Sequence, residues 1–172
     1  MFDQLLSLVK ENAGSAIINN SAIPNDRNDE AVETTTHSIM DTLKNAVQSG
    51  NVSDVMHMFS GGSSNAVSSP LAQNMQGNLI QNLMQKFGIN NSQAGGIASS
   101  IIPAVLSKFV HKTNDPNDKS FDLSSILSHF GGGNFDVGSV LGKFGLGGSN
   151  KPGEEKKDGG GLLDSLGGMF GK

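Results

Sequence analysis

The chain of 172 residues contains no cysteine, no tryptophan and no tyrosine. Without cysteine there is no disulfide framework, thiolate nucleophile, zinc ribbon or thiolate-bound iron–sulfur cluster. Basic residues are also few, since 12 lysines and arginines stand against 16 aspartates and glutamates, for a formal charge of −4. A protein that binds nucleic acid by neutralising phosphates carries the opposite excess. This balance therefore argues against nucleic acid as a partner.

Long apolar runs are missing as well. The N-terminus carries Asp3, and its apolar run is broken by Ser7. A secretory signal instead has a basic start followed by about 7–15 apolar residues. No window approaches the roughly 18 consecutive apolar residues of a membrane span. We therefore expect a cytoplasmic protein without a transmembrane segment.

Helical periodicity is what the sequence does contain. Apolar residues recur at helical spacing through the first 112 residues, and no stretch alternates apolar and polar residues as a strand does. Ser53 and Ser69 are expected N-caps, with Pro70 in the first helical turn, while Pro103 either kinks or divides its helix. The pattern predicts an all-α fold, a small multi-helix bundle with helices near 2–13, 26–49, 53–59, 70–87 and 94–109.

A short repeat occupies part of the glycine-rich C-terminal third. The first 112 residues hold 8 glycines and the last 60 hold 15, which divides the sequence at about residue 112. Residues 121–131 and 135–145 share one pattern, and 51–61 is a looser copy. Each unit has an Asp or Asn N-cap, two helical turns with an apolar face, a phenylalanine and a glycine stop. Two turns do not hold a helix in water, so each unit must pack on this protein's own core, on a second copy or on a partner.

The segments that follow from this composition are a helical core domain (1–112), short amphipathic helical repeats (113–146), a flexible linker (147–161) and an apolar docking segment (162–172). The linker is polar and rich in glycine. Purely disordered tails rarely carry as many apolar residues as the last segment does. Five of them would share one face of a helix and are the predicted partner-binding residues: Leu162, Leu163, Leu166, Met169 and Phe170.

An apolar segment on a polar linker is typical of docking to a protein partner or to a second copy of the same protein. Two alternatives stay open. The segment could fold back and cover the protein's own surface. It could also insert into a membrane surface, although Lys172 is its only base and such helices favour several. The sequence thus predicts a scaffold or adaptor that acts through protein contacts.

Patterns that carry catalysis or cofactor binding are absent from the sequence. The four histidines form no His-Glu-x-x-His pair, and there is no Gly-x-Ser-x-Gly elbow and no Gly-x-x-x-x-Gly-Lys-Ser/Thr phosphate loop. Residues 115–122 depart from a calcium loop because Lys119 stands where an oxygen ligand is needed. We therefore predict a protein that is not an enzyme, with no catalytic, cofactor-binding or metal-binding residues and no small-molecule substrate.

One segment favours an alternative function. Residues 79–110 have the outline of a helix-turn-helix, in which an apolar helix ends at Gly88 and a second helix follows a short turn. This outline suggests a DNA-associated regulator. The first basic residue of the second helix, however, is Lys108, about four turns from its start. Base and phosphate contacts need donors nearer that start.

Three stretches carry a resemblance to a known family: IPNDRNDEAVE at 23–33, QAGGI at 93–97 and IPAVL at 102–106. Together they resemble the YidB-like bacterial proteins, over about residues 1–130. The resemblance implies a bacterial, all-helical domain of unknown function with a homeodomain-like arrangement of helices. It implies no reaction and no catalytic residue.

Overall fold

The computed structural model describes residues 1–115, 117–118, 121–132 and 136–143. Within these ranges the secondary structure is helical and contains no strand, which confirms the predicted all-α class. A π-helical turn and a 3-10 turn lie between the first two helices. The α-helices are α1 Phe2–Asn12, α2 Asn28–Gln48, α3 Val52–Ser60, α4 Gly62–Ser68, α5 Pro70–Phe87, α6 Asn91–Thr113, α7 Leu123–Gly131 and α8 Val137–Lys143.

The protein divides into two compact units, Met1–Val137 and Gly138–Lys172. The first unit contains α1 to α7. Of the second unit, the structure describes residues 138–143, which belong to α8. The predicted linker (147–161) and docking segment (162–172) lie outside the described residues.

Helix α6 lies at the centre of the first unit and contacts α1, α3, α4 and α5. Burial of apolar side chains contributes about 25 cal/mol per Å² removed from water. Packing therefore holds this helix in place from several sides. Nine of its side chains are buried: Ala94, Ile97, Ala98, Ile101, Ile102, Val105, Leu106, Phe109 and Val110.

Pro103 lies inside α6 and does not divide it, because the helix runs unbroken from Asn91 to Thr113. A proline in a helix lacks the N–H that would bond the carbonyl four residues earlier, here that of Ser99. Ser99 is exposed, so water can take the place of the missing donor. The residues flanking Pro103 are buried on both sides and keep the two halves together: Ile101, Ile102, Val105 and Leu106.

Helix α2 buries hydroxyl groups as well as apolar side chains. A hydroxyl in a helix is commonly satisfied by the carbonyl one turn earlier, and Thr35 Oγ1 donates in this way to the Ala31 carbonyl at 2.8 Å. The exception among the described residues is Thr34, whose Oγ1 is buried without a hydrogen-bond partner. The buried hydroxyl residues of α2 are Thr34, Thr35, Thr36, Ser38 and Thr42.

Two side-chain hydrogen bonds join α2 to α5. Asn78 Nδ2 donates to Thr42 Oγ1 at 2.9 Å, and Asn82 Nδ2 donates to Ser38 Oγ at 3.0 Å. The donors are four residues apart on α5 and the acceptors four apart on α2, so each pair sits one turn from the other. These two hydrogen bonds add neutral polar contacts to the seam between the two helices.

The region near residue 60 departs from the sequence prediction in two details. The N-cap of α3 is Asn51, as the repeat pattern at 51–61 predicts, so the separate prediction of Ser53 is wrong. Helix α4 was not predicted, because its sequence contains a glycine and three serines, which are weak helix formers. Contact with α6 supports it, and Ser63 Oγ donates to a carbonyl of α6 at 3.2 Å. The predicted cap at Ser69 is confirmed, since its side chain accepts from Ala72 N at 3.1 Å with Pro70 at the first helical position.

Candidate functional site

The residues predicted to bind a partner belong to the second unit, in the part of the protein that the structure does not describe. Their prediction rests on the sequence alone. The described residues contain the repeat unit at 121–131, the helix-turn-helix segment and several pockets with polar lining residues. The predicted partner-binding residues outside the described ranges are Leu162, Leu163, Leu166, Met169 and Phe170.

Helix α7 is the repeat unit at 121–131, and it packs on α2 in the first unit. As predicted for these units, an aspartate caps it: Asp122 Oδ1 accepts from Ser125 N at 2.8 Å. Hydrogen bonding from the Ser125 side chain, and then from backbone amides, holds the pKa of the Asp122 carboxyl below its usual value, against the opposing effect of burial. The apolar face of α7 is buried at Ile126, Leu127 and Phe130.

Three phenylalanines in edge-to-face contact lie at the start of this repeat unit. The ring of Phe121 meets that of Phe109 edge-on, with centroids 4.9 Å apart, and Phe109 meets Phe59 in the same way at 5.2 Å. Edge-to-face pairs at such distances add about 0.5–1.5 kcal/mol beyond burial. Phe121 thus connects the repeat unit at 121–131 to α6, and Phe109 of α6 in turn contacts Phe59 of α3.

The helix-turn-helix segment has well-formed ends at its turn. Helix α5 ends at Gly88, whose φ of +66° lies in the left-handed region that favours glycine. Helix α6 begins with a capping box, in which Asn90 Oδ1 accepts from Gln93 N at 2.9 Å and Gln93 Oε1 accepts from Asn90 N at 3.1 Å. The first exposed side chains of α6 are neutral: Asn91, Ser92 and Gln93.

Arg27, within the 23–33 stretch, joins the start of α2 to the end of α5. Its Nε donates to Glu30 at 2.9 Å, its Nη2 donates to the Lys86 carbonyl at 2.9 Å, and its guanidinium lies 4.3 Å from the ring centroid of Phe87. The hydrogen bond from Arg27 lowers the pKa of the Glu30 carboxyl. The side chain therefore has a structural role.

Two histidines border a pocket of about 230 Å³ beside α7. The ring of His37 on α2 lies against that of Phe2, tilted by 39° with centroids 4.9 Å apart. His129 on α7 lines the same pocket together with Asp41 and Lys44. Within the described ranges, no group of three or more histidines and carboxylates is placed to hold a metal ion.

A second pocket, of about 240 Å³, opens between α2 and α5. We call it the amide pocket, because four of its lining residues are asparagines. Leu71 and Ala46 are its buried apolar residues. The pocket was not predicted from the sequence, although asparagines at 74, 78 and 82 recur at helical spacing on α5 and mark a polar stripe. The polar lining residues are Thr42, Asn45, Ser49, Asn51, Asn74 and Asn78.

Among the described residues, one helix is long and apolar enough to cross a membrane, at Asn91–Asn114. This stretch is α6 with its C-cap residue, and half of its apolar window is buried inside the protein. The central helix of a bundle passes the same test of length and composition. The buried half of this window lies in the core of the first unit.

A protein-family model matches residues 69–172, which is more than half of the sequence. The family is described as a bacterial protein of unknown function, DUF937. The chain belongs to this family. In this DUF937 protein the match begins at Ser69, the N-cap of α5, and includes α6, α7 and the glycine-rich C-terminal part. The search of curated proteins finds no match, and neither does the search of solved structures.

Membership of DUF937 confirms the coarse expectation of a bacterial domain of unknown function. The matched range overlaps the resemblance described above over residues 69–130. The family description names no reaction, ligand or partner. What this DUF937 protein does must therefore be inferred from its own residues.

Proposed function

We propose that this DUF937 protein is a non-enzymatic adaptor that acts through protein contacts, with residues 162–172 as its tethered contact segment. The supporting observation is the apolar spacing of the packed short helices. In α7 the buried side chains are Ile126, Leu127 and Phe130, at positions i, i+1 and i+4. The contact segment repeats this spacing with Leu162, Leu163 and Leu166.

Helix α3 supports the same interpretation of the spacing. Its buried residues include Val55, Met56 and Phe59, again at i, i+1 and i+4. Two short helices with this pattern are thus buried on a helical body, as expected for helices too short to persist alone in water. An equivalent segment on a polar linker is suited to bind the surface of another helical protein or a second copy.

The described helices leave few large apolar side chains exposed to solvent. Among the described residues, only Ile18 and Met84 are large apolar side chains that are exposed, at 40% and 37% of their surface. Monomeric proteins commonly expose single apolar side chains of this kind. For this reason we assign the apolar residues of the contact segment to the surface of another protein molecule.

The test compares the full-length protein with a variant lacking residues 149–172 and with two point variants. Leu166→Asp places a charge on the apolar face, whereas Ser165→Asp places the same charge at a polar position and serves as the control. Light scattering measures the oligomeric mass, and quantitative affinity purification from the native bacterium measures the partners. We expect deletion and Leu166→Asp to lose the same partner or the same oligomer, and Ser165→Asp to retain it.

Unchanged partners and unchanged mass after deletion would refute the adaptor proposal. A lower unfolding temperature together with unchanged partners would instead indicate that the segment covers the protein's own surface. Vesicle flotation distinguishes insertion into a membrane surface, for which we expect no co-flotation. The proposal also places the protein in the cytoplasm, which cell fractionation tests.

A DNA-associated regulator is the second candidate, since the turn between α5 and α6 has the outline of a helix-turn-helix. The neutral first turn of α6 and the distant Lys108 argue against it. Charge-driven DNA binding is strongest at low salt, so a gel shift there is the most sensitive test. We expect no shift, and a salt-dependent shift lost in Lys108→Ala would favour this candidate instead.

We also propose the narrower kinship with the YidB-like proteins and a homeodomain-like arrangement of helices. The motifs that support them are IPNDRNDEAVE, which contains Arg27, and the QAGGI and IPAVL stretches, both within α6. Superposition of an experimental structure of this protein on a homeodomain tests the arrangement. A different order of packing between the corresponding helices would refute it.

A further inference from the structure

Helix α7 covers a face of the first unit to which α1, α2 and α6 contribute side chains. Phe130 of α7 borders a pocket together with Phe2 of α1 and Met40 of α2. Phe121, just before α7, meets the ring of Phe109 of α6 with centroids 4.9 Å apart. We call this face the repeat site, because a repeat unit covers it. The buried side chains of that unit are Phe121, Ile126, Leu127 and Phe130.

A second repeat unit, residues 135–145, follows the first 14 positions later and agrees with it at the buried and capping positions. Three of the four buried side chains have an identical counterpart, and the fourth has valine in place of isoleucine. The cap formed by Asp122 and Ser125 corresponds to Asp136 and Ser139. The counterparts of the four buried side chains are Phe135, Val140, Leu141 and Phe144.

The differences that change the chemistry of a side chain fall on exposed positions. Ser124, Ser128 and His129 are exposed in α7 and correspond to glycine, glycine and lysine in the second unit. The two other differences replace leucine and isoleucine with valine. Two segments that keep the buried positions and vary the exposed ones are suited to the same kind of apolar surface. The docked first unit therefore shows which surface fits the second.

Chain connection and helix propensity decide which unit is favoured at this site. Asp122 follows Thr113, the last residue of α6, by 9 positions, whereas Asp136 follows it by 23. Closing the longer connection lowers the occupancy about fourfold. The second unit also has two glycines where α7 has serines, and glycine is the poorer helix former. Helix α7 is therefore the favoured occupant, and the second unit is a weaker competitor.

We propose that the repeat site binds either repeat unit of the chain, and that residues 135–145 take the place of α7 when α7 is released. A partner that captures α7 then does not leave the repeat site exposed to water. This consequence rests on the proposed function, whereas the exchange itself does not use residues 162–172. The tests below measure stability and crosslinking rather than partners, so their failure is distinguishable from failure of the adaptor proposal.

The first test compares unfolding midpoints of the full-length protein with a charge in one or both units. Leu127→Asp disables α7, and Leu141→Asp disables the second unit. Gly142→Asp is the control, because its counterpart Ser128 is exposed. We expect Leu141→Asp to leave the midpoint unchanged by itself and to lower it in the Leu127→Asp background, where the second unit covers the repeat site. Gly142→Asp should not lower it in either background.

The same effect of Leu141→Asp in both backgrounds, including no effect in either, would overturn the proposal. The pair Leu127→Ala and Leu141→Ala repeats the comparison with a smaller perturbation. The test therefore holds even where Leu127→Asp prevents folding.

The second test uses crosslinking within the full-length protein. The sequence has no cysteine, so two introduced cysteines are its only thiols. His129 lines a pocket with Asp41 of α2, and Lys143 is the counterpart of His129 in the second unit. In the Leu127→Asp background we expect a short bismaleimide to join Asp41→Cys to Lys143→Cys within one chain, as a band of monomer mass.

Two controls show whether this crosslink reports occupation of the repeat site. Adding Leu141→Asp should abolish it. Moving the second thiol to Gly142→Cys should reduce it several-fold, because the counterpart Ser128 is not among the residues that line the pocket. No crosslink, equal yields at positions 142 and 143, or a crosslink that joins two chains would each overturn the proposal.

Discussion

Two buried threonines of α2 differ in how their hydroxyl groups are satisfied. Thr42 Oγ1 donates to the Ser38 carbonyl at 2.7 Å and accepts from Asn78, whereas Thr34 Oγ1 has no partner among the described residues. A buried polar atom without a partner costs about 1–3 kcal/mol. We expect Thr34→Val to raise the free energy of unfolding by up to about 1 kcal/mol and Thr42→Val to lower it by about 1 kcal/mol.

Urea unfolding followed by circular dichroism measures both variants, because the protein has no tryptophan or tyrosine to report by fluorescence. Each substitution replaces a hydroxyl with a methyl group at nearly constant volume, so the two serve as each other's control. A greater loss of stability for Thr34→Val than for Thr42→Val would show that the Thr34 hydroxyl has a partner in solution.

Two glycines next to the α5–α6 turn are predicted to respond in opposite ways to alanine. Gly96 lies inside α6 with open space where a Cβ would stand, so Gly96→Ala should stabilise the protein by about 0.5–1 kcal/mol. Gly88 has a φ of +66°, where a Cβ atom costs about 1–2 kcal/mol. Thermal unfolding should therefore give a higher midpoint for Gly96→Ala and a lower one for Gly88→Ala. Equal shifts would contradict these backbone assignments.

At the scale of elements, the cap of α7 makes a pH-dependent contribution to stability. The pKa of Asp122 is lowered in the folded protein, so its carboxylate stabilises the fold at neutral pH, and this contribution is lost as the pH falls below the ordinary aspartate value of about 3.9. We expect Asp122→Ala to cost about 1 kcal/mol at pH 7. The difference from the unmodified protein should shrink toward pH 3.

Ser124→Ala is the matched control for the Asp122 variant, because Ser124 is exposed in the first turn of the same helix. Unfolding in urea at pH 7 and near pH 3 measures both variants against the unmodified protein. An Asp122→Ala deficit that stays constant across this range would mean that the cap does not act through its ionised carboxylate.

At the scale of the whole molecule, the bounds of the first unit predict which C-terminally shortened fragments remain stable. A fragment of residues 1–137 retains Phe121 and the buried face of α7, whereas a fragment of residues 1–112 exposes the surface that they cover. Removing a buried Leu, Ile or Phe side chain typically destabilises a protein by about 2–5 kcal/mol. We expect residues 1–137 to unfold near the midpoint of the full-length protein and residues 1–112 to unfold well below it.

Calorimetry of the two fragments measures this difference. The boundary at residue 112 was drawn from glycine content, which is a local property of the sequence. The compact unit instead ends at Val137, because packing joins residues that are distant in sequence. Equal midpoints for both fragments would mean that α7 adds nothing to the stability of the first unit.

Helix caps and helix stops, which depend on only a few neighbouring residues, could be predicted from the sequence. The cap at Ser69-Pro70, the stop at Gly88 and the cap at Asp122 each depend on a side chain or a φ angle within one turn of the helix end. The helical period of the apolar residues likewise indicated the all-α class, because it reports which face of each helix is buried. These features needed no knowledge of neighbouring helices.

Only tertiary packing decided the features that depend on contacts between residues distant in sequence. Helix α4 has a weak helical sequence and persists against α6, and α6 continues through Pro103 because buried neighbours on both sides outweigh one lost hydrogen bond. The amide pocket exists because Thr42 and Asn78, 36 positions apart, meet across the α2–α5 seam. Local sequence carries helix propensity and periodicity, but which faces oppose each other depends on the packing of the whole bundle.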